Sequence, residues 1–131
     1  MSCKIPANAF DTRQIKAEIH GDYFNSKGTD GDITFRGKLT DSAGTDTITA
    51  VLTVPDDVSR HNYVATLTIT PTGADTQTVF LAIQSQADNL YIVDSWTRTQ
   101  NEELTLEFTA QLDAADPDFE VQRFTASVQA I

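Results

Sequence analysis

Alternation at period two runs through most of the chain and constrains its fold more than any other feature. Ile15, Ala17 and Ile19 share one parity against Lys16 and Glu18. Ile33, Phe35, Gly37 and Leu39 do the same against Thr34, Arg36, Lys38 and Thr40. The pattern returns at Ile48–Val54, at Tyr63–Ile69 and at Leu104–Leu112. Successive side chains of a strand point to opposite faces, so this spacing fits half-buried β-strands and not helices. The chain's 19 threonines fall mostly on the polar parity, where a branched side chain packs well on a pleated surface. Turn formers cluster in residues 25–32, 41–46, 55–62, 71–76 and 113–118, and no capping box precedes an apolar run.

These signals predict an all-β, antiparallel single domain of about eight strands. An irregular lead-in over residues 1–12, with Phe10 tucked onto the domain as an anchor, precedes one β domain over residues 13–131. Gly21 interrupts its strand and predicts a bend or bulge. Phe119 and Val121 sit on one parity and Phe124, Ala126 and Val128 on the other, so one extra residue near Gln122 and Arg123 is expected. A two-sheet sandwich is preferred over a closed barrel, because a small lumen must be filled or occupied and the inward sets hold few small polar groups.

Residues 77–96 read differently from the rest. Val79 to Ile83 and Leu90 to Val93 are apolar at every position, joined by a short polar turn. That predicts a central hairpin covered on both faces, with Leu81 and Ile92 among the most buried residues.

The 19 acidic residues outnumber the nine basic ones and give a formal net charge of −10. Phosphate backbones and anionic lipid surfaces are repelled, so nucleic acid is excluded as a partner, and no stretch is apolar enough to span a membrane. An Asp-rich, Lys-poor, Thr-rich surface suits an extracellular, cell-surface or virion-associated protein, with a cytoplasmic one left open. Cys3 is the sole cysteine, so no disulfide forms within the chain. It reads as an incidental thiol in a mobile terminus or as the lipid anchor of a lipoprotein.

His20, His61 and Cys3 do not make up a zinc or copper set, and no nucleophile elbow, phosphate loop or dinucleotide fingerprint occurs. An enzyme is therefore disfavoured. Asp94 shares parity with Leu90, Ile92 and Trp96, which would aim a carboxylate at the covered side with Arg98 as its nearest cation. Asp94, Trp96, Arg98 and Tyr91 are the candidate ligand-binding residues. The acidic loops carrying Asp30 and Asp32, and Asp116 and Asp118, place oxygens close together as calcium requires, although Asp is also a standard turn residue.

The runs Phe35-Arg-Gly-Lys-Leu39, Leu52-Thr-Val-Pro-Asp-Asp57 and Leu90-Tyr-Ile-Val93 are similar to the β-motifs of receptor-binding domains in phage tail proteins. Residues 104–131 depart from that pattern, so the resemblance assigns no family. The expectation is a non-catalytic, surface-displayed or particle-associated β module for binding or structural assembly. Its partner would be a protein or carbohydrate on a surface, or a second copy. The alternative is a calycin-like β-barrel holding a small molecule, or an enzyme built on its lumen.

Overall fold

The computed structural model describes residues 1–10 and 13–131; residues 11 and 12, part of the expected lead-in, lie outside the described residues. Among the described residues the chain forms nine strands and no helix. They are β1 (Ser2–Ile5), β2 (Ile15–Asn25), β3 (Gly31–Thr40), β4 (Thr45–Val54), β5 (Asp57–Gly73), β6 (Thr76–Ser85), β7 (Asn89–Trp96), β8 (Leu104–Leu112) and β9 (Phe119–Ala130). A four-stranded sheet runs in the order β1-β8-β3-β4 and a five-stranded one in the order β7-β6-β5-β2-β9. Every pairing is antiparallel. The expected sandwich is what forms. Neither sheet closes on itself, so the barrel alternative and the lumen it needed are ruled out by topology.

The core follows from the alternation. Ile33, Phe35 and Leu39 of β3, Leu52 of β4 and Leu104, Leu106 and Phe108 of β8 face Ala65, Leu67 and Ile69 of β5 and Val79, Leu81 and Ile83 of β6, all without solvent exposure. Stacked sheets pack about 10 Å apart, room for one interdigitated layer from each inner face. Gly37 shows how tight the fit is, since a Cβ there would lie 2.6 Å from a methyl of Leu67.

Three features differ from the sequence reading. Ser2–Ile5, expected to be irregular, pairs with Leu104–Glu107 of β8; Cys3 is thus a half-buried strand residue, and burial pushes its thiol pKa up. Asp57–Asn62, read as part of a polar connection, opens the long β5. The hairpin of residues 77–96 is not central. β5 and β2 occupy the middle of the larger sheet, and β7 is its outermost strand.

The anticipated irregularities are present. Between β2 and β9, His20 lies opposite Thr125 and Gly21 opposite Arg123, leaving Phe124 as the extra residue. Phe10 is buried as the anchor envisaged for it.

Candidate functional site

The four candidate ligand-binding residues do not converge. Trp96 is a core side chain at 2% exposure. Tyr91 stands on the opposite, solvent face of β7, 61% exposed. Asp94 is exposed too, and its Oδ1 accepts a hydrogen bond from the neighbouring Ser95 N–H. It escapes burial because β7 is the sheet edge, where the inner parity also meets water. Arg98 does not reach Asp94. Its Nε donates to Asp46 Oδ2 and its Nη1 to Asp41 Oδ1, both at 2.9 Å.

Arg98 instead belongs to a clamp that ties the chain leaving β7 to the turn between β3 and β4. Asp41 Oδ1 also accepts from the Ala43 and Gly44 N–H groups, and Oδ2 from Thr99 N–H. These contacts, led by the Thr99 N–H, hold the Asp41 carboxyl below the usual carboxylate range. A carboxylate accepting several backbone donors favours its charged form. Gln77, at 1% exposure, exchanges hydrogen bonds with both backbone groups of Arg98 and donates to Gln100 Oε1. Every polar group named here has a partner within the clamp, so its role is structural.

A second cluster joins Asp57 and His61, which share β5. His61 Nε2 and Asp57 Oδ2 lie 2.9 Å apart, and the Tyr23 ring sits 5.8 Å from the imidazole, centroid to centroid. The His61 contact lowers the Asp57 pKa first, with Ser59 N–H second. Ser59 reaches Asp57 through its backbone, at 3.0 Å. The geometry is that of a hydrogen-bonded pair at a strand end, with no hydroxyl bonded to the imidazole among the described residues, as nucleophilic catalysis would need.

The acidic pairs are not cation sites. Asp116 Oδ1 caps Asp118 N–H within its turn, whereas Asp32 lies on β3 and accepts from the Thr53 hydroxyl across the strand pair, leaving Asp30 exposed in the turn before it. Among the described residues, no three His, Cys, Asp or Glu side chains gather closely enough to hold a metal ion.

The feature that sequence reasoning placed correctly in chemistry but wrongly in space is the β6–β7 hairpin. Its inner face is core on β6 and at Trp96, and half-buried at Leu90 and Ile92 of β7. Its outer face carries Phe80, Tyr91 and Val93, with the Phe80 and Tyr91 rings 5.6 Å apart and Val93 64% exposed. Across the same face polarity falls in steps. β2 presents Lys16, Glu18 and His20, with Glu18 ion-paired to Lys16 and hydrogen-bonded to His20; β5 presents Thr66 and Thr68; β6 and β7 present the apolar group.

Two of the other three sheet edges are defended against pairing in ways natural sheets use. β1 is only four residues long and carries Lys4. β9 has the Phe124 bulge. β4 exposes Thr45, Thr47, Thr49 and Thr53, with Val51 the only apolar member of that set. β7 is eight residues long, in unbroken register with β6 from Asn89 to Trp96, with one charge and neither Lys, Pro nor Gly. β4 shares that lack of Lys, Pro, Gly and bulge, and β7 differs from it in turning Tyr91 and Val93 to solvent where β4 turns threonines.

No helix among the described residues is long and apolar enough to cross a membrane. No protein-family model, no curated protein and no solved structure matches the chain.

Proposed function

We propose that this protein is a non-catalytic β module for structural assembly, displayed on a cell or particle surface, and that copies join through β7. The observation that carries this reading is an unbulged edge strand whose solvent face, unlike that of β4, turns Tyr91 and Val93 outward. Its free backbone N–H and C=O groups are a template for another strand. A two-fold axis through Ile92 would set Tyr91 of each copy beside Val93 of the other and extend the apolar face. Aromatic against β-branched is a favourable cross-strand pair. An isologous contact of this kind is self-complementary and closes. The acidic surface supports display in a solvated, exposed setting.

Sedimentation of the full chain over a range of concentrations tests it. A monomer–dimer equilibrium is expected, and added salt should strengthen it, because each copy carries a net charge of −10 and screening relieves their repulsion. Val93→Lys should abolish the dimer while Thr49→Lys on the β4 edge leaves it intact. A wild-type chain that stays monomeric at millimolar concentration would overturn the proposal, as would a dimer indifferent to Val93→Lys. A monomer that is retained on immobilised glycans through Tyr91 would point to a carbohydrate platform instead.

A further inference from the structure

A cleft of about 200 Å³ opens at the end of the sandwich where β2 and β4 finish and β5 begins, beside the β6–β7 turn. Tyr23 and Val54, each 2% exposed, line its inner side. Asp57, Ser59, His61 and Gln86 stand on its more open side. None of its lining residues is a lysine or an arginine. The polar groups here are only half used. Tyr23 Oη accepts a hydrogen bond from Ala87 N–H at 3.2 Å, and its own O–H meets no acceptor among the described residues. A phenol both donates and accepts, so a buried donor is left over at the cleft, where buried donors ordinarily find a partner. The Ser59 hydroxyl and the Gln86 amide make no hydrogen bond among the described residues either. Asp57 meets Ser59 N–H with Oδ1 and His61 Nε2 with Oδ2, which leaves lone pairs on both oxygens.

The surroundings decide what charge a ligand can carry. Residues 26–32, 55–57, 86–88 and 113–118 lie at this end of the molecule and hold eight aspartates and one lysine. Backbone hydrogen bonds from Ser26 to Asp118 and from Asp113 to Asp32 draw these connections together. An anion is repelled there. A cation would suit Asp57 but would offer nothing to the Tyr23 O–H, which needs an acceptor. Hydroxyl groups meet both demands, since each accepts one hydrogen bond and donates another.

We propose that this cleft binds a neutral saccharide unit, whose hydroxyls accept from the Tyr23 O–H and donate to the Asp57 carboxylate, with Ser59 and Gln86 bonding the rest. The volume of about 200 Å³ is below the roughly 300–1,000 Å³ of drug-sized sites, so a single ring enters and an extended chain does not. The cleft lies at the end of the sandwich, away from Tyr91, and needs no partner strand on β7. It is independent of the assembly proposed above.

NMR titration of the full chain with the methyl glycosides of glucose, galactose and mannose tests it. The chain's two histidines divide the readout, since His61 lines the cleft and His20 is exposed on β2. At least one glycoside should shift the His61 ring resonances saturably and leave those of His20 in place. Glucuronate, the same ring with a negative charge, should bind more weakly than that glycoside. Asp57→Asn should weaken the glycoside about tenfold and Tyr23→Phe several-fold, as expected for losing one charged and one neutral hydrogen bond. Asp57 is exposed, so its substitution reads the site independently of any loosening that Tyr23→Phe causes at Ala87. Asp113→Asn, which removes the same charge at the same end, should change nothing, and neither should Val93→Lys. No saturable shift of His61 with any of the three at tens of millimolar, equal shifts on His20, binding indifferent to Asp57→Asn, or tighter binding of n-butylamine at the cleft would overturn the proposal.

Discussion

β6 and β7 form one hairpin and are equally apolar in sequence, yet they do different things. On β6, Val79, Leu81 and Ile83 are fully enclosed and Phe80 meets solvent. On β7, Leu90 and Ile92 are only half-buried and Tyr91 and Val93 are largely exposed. The difference comes from position, for β6 has neighbours on both sides and β7 on one. An unbroken apolar run is therefore no sign of coverage on both faces. On β6 the inner face is enclosed while Phe80 on the outer one meets solvent; on β7 the inner face too is partly open, and the run marks surface that the isolated chain leaves uncovered.

The largest expected effect lies on β6. Leu81→Ala removes a wholly buried side chain and should cost about 2–5 kcal/mol, read by chemical denaturation. A loss below about 1 kcal/mol would contradict its core position.

Next comes the clamp that fastens the far end of β7. Asp41→Asn weakens charge-assisted hydrogen bonds and should cost about 1.5–3 kcal/mol near neutral pH. The folded carboxyl titrates below its ordinary range, so the stability it contributes is present above the unfolded Asp value of about 3.9 and is lost as pH falls through the lower folded value. The gap between wild type and Asp41→Asn should accordingly be constant above about pH 5 and shrink on further acidification. A gap that does not depend on pH would remove Asp41's charge from the account.

Ile92→Ala should cost less than Leu81→Ala, about 1 kcal/mol in the monomer, in proportion to the smaller apolar area lost. Equal losses at the two sites would break the contrast between the strands. The smallest change is expected for Val93→Lys, within about 0.5 kcal/mol for the monomer, since it alters only what β7 can meet.

The strands themselves were legible because inner and outer faces differ in chemistry at every second residue, as from Ile33 to Thr40. The bulge was legible too, since Phe119 and Phe124 fall on opposite parities and only an added residue reconciles them. Strand order was not. Nothing local to Leu90–Val93 distinguishes a strand with two neighbours from one with a single neighbour, because β2 reaches β5 and β9 only through pairings distant in sequence. β1 was missed for a related reason: four residues ahead of Pro6 give too short a pattern, and their partner is β8. The clamp joins Asp41 to Arg98, two residues that read separately as a turn former and as the expected partner of Asp94. Asp57 and His61 sit four apart on a stretch whose turn-rich composition concealed a strand.

The pairing of β1 with β8 also has a kinetic meaning. Ser2 lies opposite Glu107, and β9 completes the other sheet beside β2. Each sheet thus receives its last strand from the C-terminal third of the chain. Closing such long loops is entropically slow, and domains dominated by distant pairings fold on the order of milliseconds to seconds. The β6–β7 hairpin needs only local contacts and can form in about 1–10 μs. Its neighbour across the sandwich is β4, which precedes it in the chain, so during synthesis the hairpin meets its cover as soon as it emerges. β8 faces β9 instead, and both belong to the last stretch made. That end of the sandwich is therefore the last to close, and the rate at which β8 and β9 arrive sets how long the inner face of β2 beside them stays open.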